Sequence, residues 1–160
     1  MISILFGEDS YRKNKRIKEI IADFTKKNKN GNIISVSFEN EENILEFNKL
    51  IRSASLFQNK RLIVLKNIEN LESIKDIKDS LKAAIENKNE LILIEFNKKP
   101  AKEFDFLAKG AETKEEFSYL NTKDFKLFIE KEIKLNSLKI NKSDLEEVVE
   151  IFDGRTHEAI

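Results

Sequence analysis

Cysteine is absent from the 160 residues. No disulfide framework is available, and no thiolate can hold a metal. Histidine occurs once, at His157. A zinc site draws on several Cys or His ligands, so His157 reads as a surface or helix-terminus residue, and no Ser/His/Asp arrangement assembles around it. A surplus of charge is missing too: 29 Lys and Arg stand against 29 Asp and Glu. Broad electrostatic binding to DNA or a membrane needs a basic excess, which argues against it for this chain alone. No apolar run approaches the ~18 residues of a membrane span, and no signal-peptide pattern precedes the first strand. The expectation is a soluble, cytoplasmic protein with no membrane partner.

What is present is a core-forming chain with a heavily charged surface. Apolar residues make up 40%, with twelve Phe, and charged residues 36%, against about 25% charged in an average domain. A chain of this length buries roughly 70% of its unfolded surface. Ile2 to Phe6 reads as a strand, ended by the turn Gly7-Glu8-Asp9-Ser10, in which Asp9 or Ser10 offers a helix N-cap. A helix follows from Tyr11 to Lys27, with Ile17, Ile20, Ile21 and Phe24 on one stripe. Ile33 to Phe38 alternates as a strand, Glu41 to Ser53 is amphipathic, and Leu62 to Leu65 is a short apolar run suited to a strand buried on both faces. A helix over Asn70 to Asn87, a strand over Leu91 to Phe96, a short helix through Phe104 and Leu107, and a weak strand over Thr113 to Phe117 complete the pattern. Strands alternate with helices through residue 120. That order predicts an α/β fold with a parallel sheet, helices on both faces and right-handed crossovers.

After residue 120 the period is helical only. Thr122 can cap a helix from Lys123 to Leu135. Ser143 with Glu146 fits a capping box for another helix, to Phe152. Asp153-Gly154 ends it, and Arg155 to Ile160 reads as the start of a third helix. The division expected is an α/β domain over residues 1–120 and a small, incomplete helical domain over 121–160. Two helices and a stub cannot bury both faces of a bundle, which points to the front part of a longer protein.

The chemistry of the first turn is defined by what it fails to supply. A phosphate cradle of the P-loop kind needs G-x-x-x-x-G-K-[ST]. Gly7-Glu8-Asp9-Ser10-Tyr11-Arg12-Lys13-Asn14 lacks the second Gly and the Lys-Ser/Thr pair, and Glu8 and Asp9 set negative charge where phosphate would lie. A magnesium-holding acid is expected after an apolar strand, yet Leu62 to Leu65 is followed by Lys66 and Asn67. Both halves of a nucleotide site fail together, and no catalytic residue, nucleotide-binding residue, metal or cofactor is assigned. A phospho-receiver reading of Glu8 and Asp9 needs an Asp where Lys66 stands. Helix capping explains both residues more simply. The lysines of Lys13-Asn14-Lys15-Arg16 and Lys26-Lys27 read as solvated faces. The Phe residues between Phe104 and Phe128 read as core, since no basic-aromatic alternation surrounds them.

One stretch resists that structural reading. In Ser55-Leu56-Phe57-Gln58-Asn59-Lys60-Arg61-Leu62-Ile63-Val64-Leu65, Leu56 and Phe57 lie in a connection too short for a core of its own. Two adjacent large apolar residues there face opposite ways, so one of them tends to stay near water. The stretch resembles the SLF…RL-V-L signature of the bacterial DNA polymerase III delta subunit family. Gly7-Glu8-Asp9-Ser10-Tyr11 after a strand is similar to that family's opening, Leu91 to Ile94 to its next core strand, and the helical tail with Asp153-Gly154 to its second domain. The resemblance implies a non-catalytic clamp-loader subunit. Its first domain would be a P-loop-type, AAA+-like sheet that has lost its nucleotide site, and its second a helical lid. Leu56 and Phe57 would be the hydrophobic plug that binds and opens the ring-shaped sliding clamp, with Ser55 and Arg61 in structural roles. The further partners implied are the other loader subunits, through a collar domain absent from this chain, and primer-template DNA within the assembled loader only. From a different class, a nucleotide- or phosphate-dependent α/β enzyme with an unusual acidic loop, or a phospho-receiver-like regulatory domain, is the alternative.

Overall fold

A computed structural model describes residues 1–53 and 59–159. Five strands, β1 (Ile2–Phe6), β2 (Asn32–Ser37), β3 (Arg61–Lys66), β4 (Glu90–Phe96) and β5 (Thr113–Glu116), form one sheet in the order β2-β3-β4-β1-β5. Every neighbouring pair is parallel. The sheet is flanked by α1 (Ser10–Lys27) on one face and by α2 (Glu41–Arg52), α3 (Lys75–Glu86) and α4 (Asp105–Gly110) on the other. The α/β expectation therefore stands.

Side-chain alternation along the strands divides the core in two. Leu5, Leu62, Val64 and Leu93 meet Ile17 and Phe24 of α1. Ile4, Ile63, Leu65, Ile92 and Ile94 face the other way, onto Phe47 and Ile51 of α2, Ile77 and Leu81 of α3, and Leu107 of α4. This is why Leu62 to Leu65 of β3 and Leu91 to Ile94 of β4 read as unbroken apolar runs: a parallel strand covered on both sides has no solvent face to mark with polar residues. β5, at the edge, is largely exposed and polar. It is held to α1 by a fork from Arg16, whose Nε and Nη2 both bond the Glu115 carboxylate at 2.9–3.0 Å.

Helix starts differ from the sequence reading in three places. The long helix over Asn70 to Asn87 is a 3-10 turn at Ile68–Asn70, then extended backbone at Leu71, with α3 beginning only at Lys75. Ser73 accepts from the Lys75 N–H at 3.3 Å, a local turn that competes with continuing the helix. Leu71 and Ile74 nonetheless pack on the core, which is why their spacing looked helical. The expected Thr122 and Ser143 caps are also displaced. Asn121 caps α5 (Thr122–Leu135), accepting from the Asp124 N–H at 3.0 Å. Asn141 caps α6 (Lys142–Phe152), accepting from the Asp144 N–H at 2.9 Å. Asn outranks Thr at the cap position, and each Asn precedes the competing hydroxyl residue.

α5, α6 and the short α7 (Thr156–Ala159) share a separate cluster of Phe125, Ile129, Leu145 and Val149. Among the described residues no helix is long and apolar enough to cross a membrane.

Candidate partner-binding site

The connection between α2 and β3 carries the residues on which the sequence reading turns. Leu56 and Phe57, with Ser55, lie outside the described residues, but both stems of the connection are defined. α2 ends at Arg52, and Ser53 caps it, its hydroxyl donating to the Leu50 carbonyl at 2.9 Å. On the far side Lys60 accepts from the Asn32 N–H at 3.0 Å, and Arg61 N–H donates to the Asn89 carbonyl at 2.9 Å. Arg61 then joins the two stems. Its guanidinium is 3% exposed, pairs with the buried Glu90 across the β3–β4 register, and reaches back to the Leu50 carbonyl of α2 at 3.4 Å. A desolvated Arg–carboxylate pair fixes geometry more strongly than it adds net stability. Here it fixes the separation between the last turn of α2 and the first residue of β3. Arg61 thus takes the structural role expected for it. Glu90 was not singled out by sequence. Its signal was a lone acid at the head of an apolar run, in register with a lone Arg.

The Gly7 turn lies at the opposite edge of the sheet, where the carboxyl ends of β1 and β4 meet. The strand order reverses there, and open α/β sheets hold ligands in that crevice. In this chain the crevice is occupied by a side chain. Lys13, read from sequence as part of a solvated face, is 1% exposed. Its ammonium donates to the carbonyls of Gly7 at 3.0 Å and Phe96 at 2.9 Å and to Asn97 Oδ1 at 3.4 Å, and lies 3.4 Å from the Glu95 carboxylate. Glu95 also faces Lys66, at 3.6 Å. The correction has a simple cause: Lys13 is one turn into α1, on the side that crosses the ends of β1 and β4, and a four-carbon stem reaches their free carbonyls. A run of basic residues does not say which of them faces inward. Glu95, the acid that follows the apolar run Leu91 to Ile94, was the available hint.

Asp9 does more than cap. Its carboxylate accepts from the Arg12 N–H at 3.0 Å and from Arg12 Nη1 at 3.2 Å, as an N-cap should. It is fully buried because Thr156, at the start of α7, donates its hydroxyl to the same carboxylate. Tyr11 and Lys15 of α1 both bond the Glu132 carboxylate of α5. The Tyr11 phenol is held above the ordinary tyrosine value by burial first, then by donating to Glu132 and lying near its charge. Gly7 has φ +129°, and a Cβ there would meet the Phe117 carbonyl oxygen at 2.4 Å. That close approach is fixed by Asp9 N–H donating to the same carbonyl at 2.9 Å. His157 stacks on Tyr119 at 6.5 Å and faces Glu158, as a surface residue does. Phe104, Phe117 and Phe125 are buried, and Phe106 and Phe128 pack on the core at its margin.

The family model described as "DNA polymerase III, delta subunit" matches residues 4–117. No curated protein matches the chain. Among solved structures, the chain is similar to one described as "Structure of E. coli MS115-1 HORMA:CdnC:Trip13 complex", with a TM-score of 0.59 and 16% identity, over 93% of this chain and 58% of that one. It is similar also to the "Bacillus subtilis DNA clamp loader delta protein (YqeN)", with a TM-score of 0.58 and 19% identity, over 99% of this chain and 50% of that one. The chain thus spans 50–58% of the length of these two structures. At such identities the two structures speak to the fold.

Proposed function

The chain belongs to the DNA polymerase III delta subunit family, and from that premise we propose that it is a non-catalytic clamp-loader subunit that binds and opens the sliding clamp through Leu56 and Phe57. The observation that carries this reading is the family match over residues 4–117, which contains the whole Ser55 to Leu65 stretch. The anchored stems support it: a plug acts as a hot spot when its backbone is held before binding, because less ordering entropy is lost on association. Inserting a Leu and a Phe into an apolar pocket yields on the order of 3–6 kcal/mol of gross transfer energy before association costs. Ring opening follows when the occupied pocket favours the open clamp edge over the closed one, since only differential affinity shifts an equilibrium.

In this reading residues 1–120 are a P-loop-type, AAA+-like domain without a nucleotide site, and residues 121–160 begin a helical lid. Support for the lost site comes from the crevice at the ends of β1 and β4, where the Lys13 ammonium takes up the carbonyl oxygens and Asp9 and Glu8 stand at the turn. The partners are the sliding clamp, the other loader subunits and, within the assembled loader, primer-template DNA.

The decisive experiment is the double variant Leu56→Ala, Phe57→Ala. Calorimetry against the cognate clamp is expected to show binding abolished, with the circular dichroism melt unchanged. Clamp affinity equal to that of the unaltered chain overturns the proposal.

A further inference from the structure

The end of β2, the start of α2 and the segment leading into α3 enclose an open groove of about 580 Å³. Its floor is apolar: Phe38, Ile44, Leu45 and Leu71. Its rim is acidic: Glu39, Glu41, Glu72 and Asp76, with no Lys or Arg lining it. None of these four carboxylates forms an ion pair among the described residues. Glu39 accepts a hydrogen bond from the Ser37 hydroxyl at 2.9 Å, and Lys78, one turn along α3 from Lys75, is engaged over the Phe106 ring at 5.3 Å. The whole chain balances its charges at 29 each, so a rim of one sign is a local departure. Leu45 stays 59% exposed on the floor.

Anions are unsuited to this groove. The N-terminus of α2, which opens onto it, is already satisfied by a capping box: Asn40 accepts from the Asn43 N–H at 3.1 Å, and the Asn43 side chain accepts from the Asn40 N–H at 3.3 Å. Four carboxylates repel nucleic acid and acidic protein surfaces. An apolar floor between acidic walls fits one occupant well, a helix presenting apolar anchors flanked by Lys or Arg. We propose that this groove docks a basic amphipathic helix of a partner protein.

The groove takes its α2 lining from Glu41, Ile44, Leu45 and Asn48, whereas Leu56 and Phe57 come later in the sequence and lie outside the described residues. The proposal therefore does not rest on the clamp-binding reading.

The probe is a synthetic Leu/Lys amphipathic helical peptide, titrated into the full chain by calorimetry beside its Leu/Glu counterpart. Binding by the Leu/Lys peptide alone is expected. It should weaken by about tenfold or more in Leu45→Ser and in Glu72→Lys with Asp76→Lys, and the charge-reversed groove should now take the Leu/Glu peptide. Reversal of Glu146 and Glu150 to Lys, on α6, should leave binding unchanged. Circular dichroism melts of each variant confirm a folded chain. Failure of the Leu/Lys peptide to bind, or equal loss from the groove and α6 variants, overturns the proposal. Sedimentation decides against it in another way: a dimer of the unaltered chain that Leu45→Ser dissociates would give the groove to a second copy.

Discussion

Lys13 is the residue whose environment departs most from what its neighbours in sequence suggest. Its ammonium satisfies two strand-end carbonyls and faces Glu95 in a site sealed from water. Replacing it with Met keeps the stem and removes the charge, leaving the Gly7 and Phe96 carbonyls without a donor and Glu95 without one of its two cations. Unsatisfied buried groups and broken buried pairs of this kind are costly. Urea unfolding of Lys13→Met should show a loss of about 3 kcal/mol, and an unchanged midpoint would mean that the Gly7 and Phe96 carbonyls find another donor at no cost. Tyr11 offers a test by titration. In a Tyr119→Phe background the remaining phenol should ionise above the ordinary tyrosine value of 10.0, because burial and the bond to Glu132 favour its neutral form. A raised folded-state value means the contribution to stability is complete below pH ~10 and is lost as pH climbs through the folded value. Absorbance at the phenolate band should therefore rise late, and Glu132→Gln should bring the midpoint down.

Among the elements, α7 is the one whose place depends on a single polar contact. Four residues cannot hold themselves as a helix. Thr156 ties α7 to the buried Asp9 at the head of α1, and Gly154, with φ +86°, brings the chain so near Leu120 that a Cβ would meet its carbonyl oxygen at 2.1 Å. Thr156→Val keeps the shape and removes the donor, leaving Asp9 with a vacant lone pair in a buried place. Hydrogen exchange should show faster opening of α7 and of the first turn of α1, with β1, β3 and β4 unaffected. Equal protection in α7 would show that the small cluster around Phe125 and Val149 is enough to hold it. The helix boundaries teach a related lesson. Leu71 and Ile74 occupy core positions from a 3-10 turn and a bend rather than from a helix, because a turn at Ser73 intervenes. Apolar spacing reports which residues face the core, and a local hydrogen bond decides the backbone that carries them.

At the scale of the whole molecule, the two ends of the parallel strands are built differently. The edge formed by the amino ends of β3 and β4 carries the Arg61–Glu90 pair and, beside it, the connection proposed to hold the clamp-binding plug. The edge formed by the carboxyl ends of β1 and β4 is closed by Lys13 and by the Asp9–Thr156 contact. A ligand that binds only the native state must raise its melting temperature. Adding ATP with Mg²⁺ at millimolar concentration is therefore expected to leave the melt unchanged, and a rise of several degrees would favour the nucleotide-dependent enzyme over the clamp-binding module.

The amino-acid order alone determined the alternation of strands and helices, the burial of β3 on both faces, the helical character after residue 120, and the absence of the P-loop residue pattern from Gly7 to Asn14. These follow from periodicity, from the glycine and lysine positions that phosphate requires, and from local capping, all of which act within a few residues. Ser55 to Leu65 likewise carried its family resemblance in the order of its residues. Only the tertiary structure decided which lysine of a basic run turns inward, that Asp9 bonds a residue 147 positions away, that Arg61 joins the end of α2 to Glu90, and that four acids from two separate stretches, residues 39–41 and 72–76, rim one groove. Each of those is a meeting of side chains far apart in the chain. Parallel strands return to the same edge only after a helical crossover, so no local pattern announces which groups the sheet brings together.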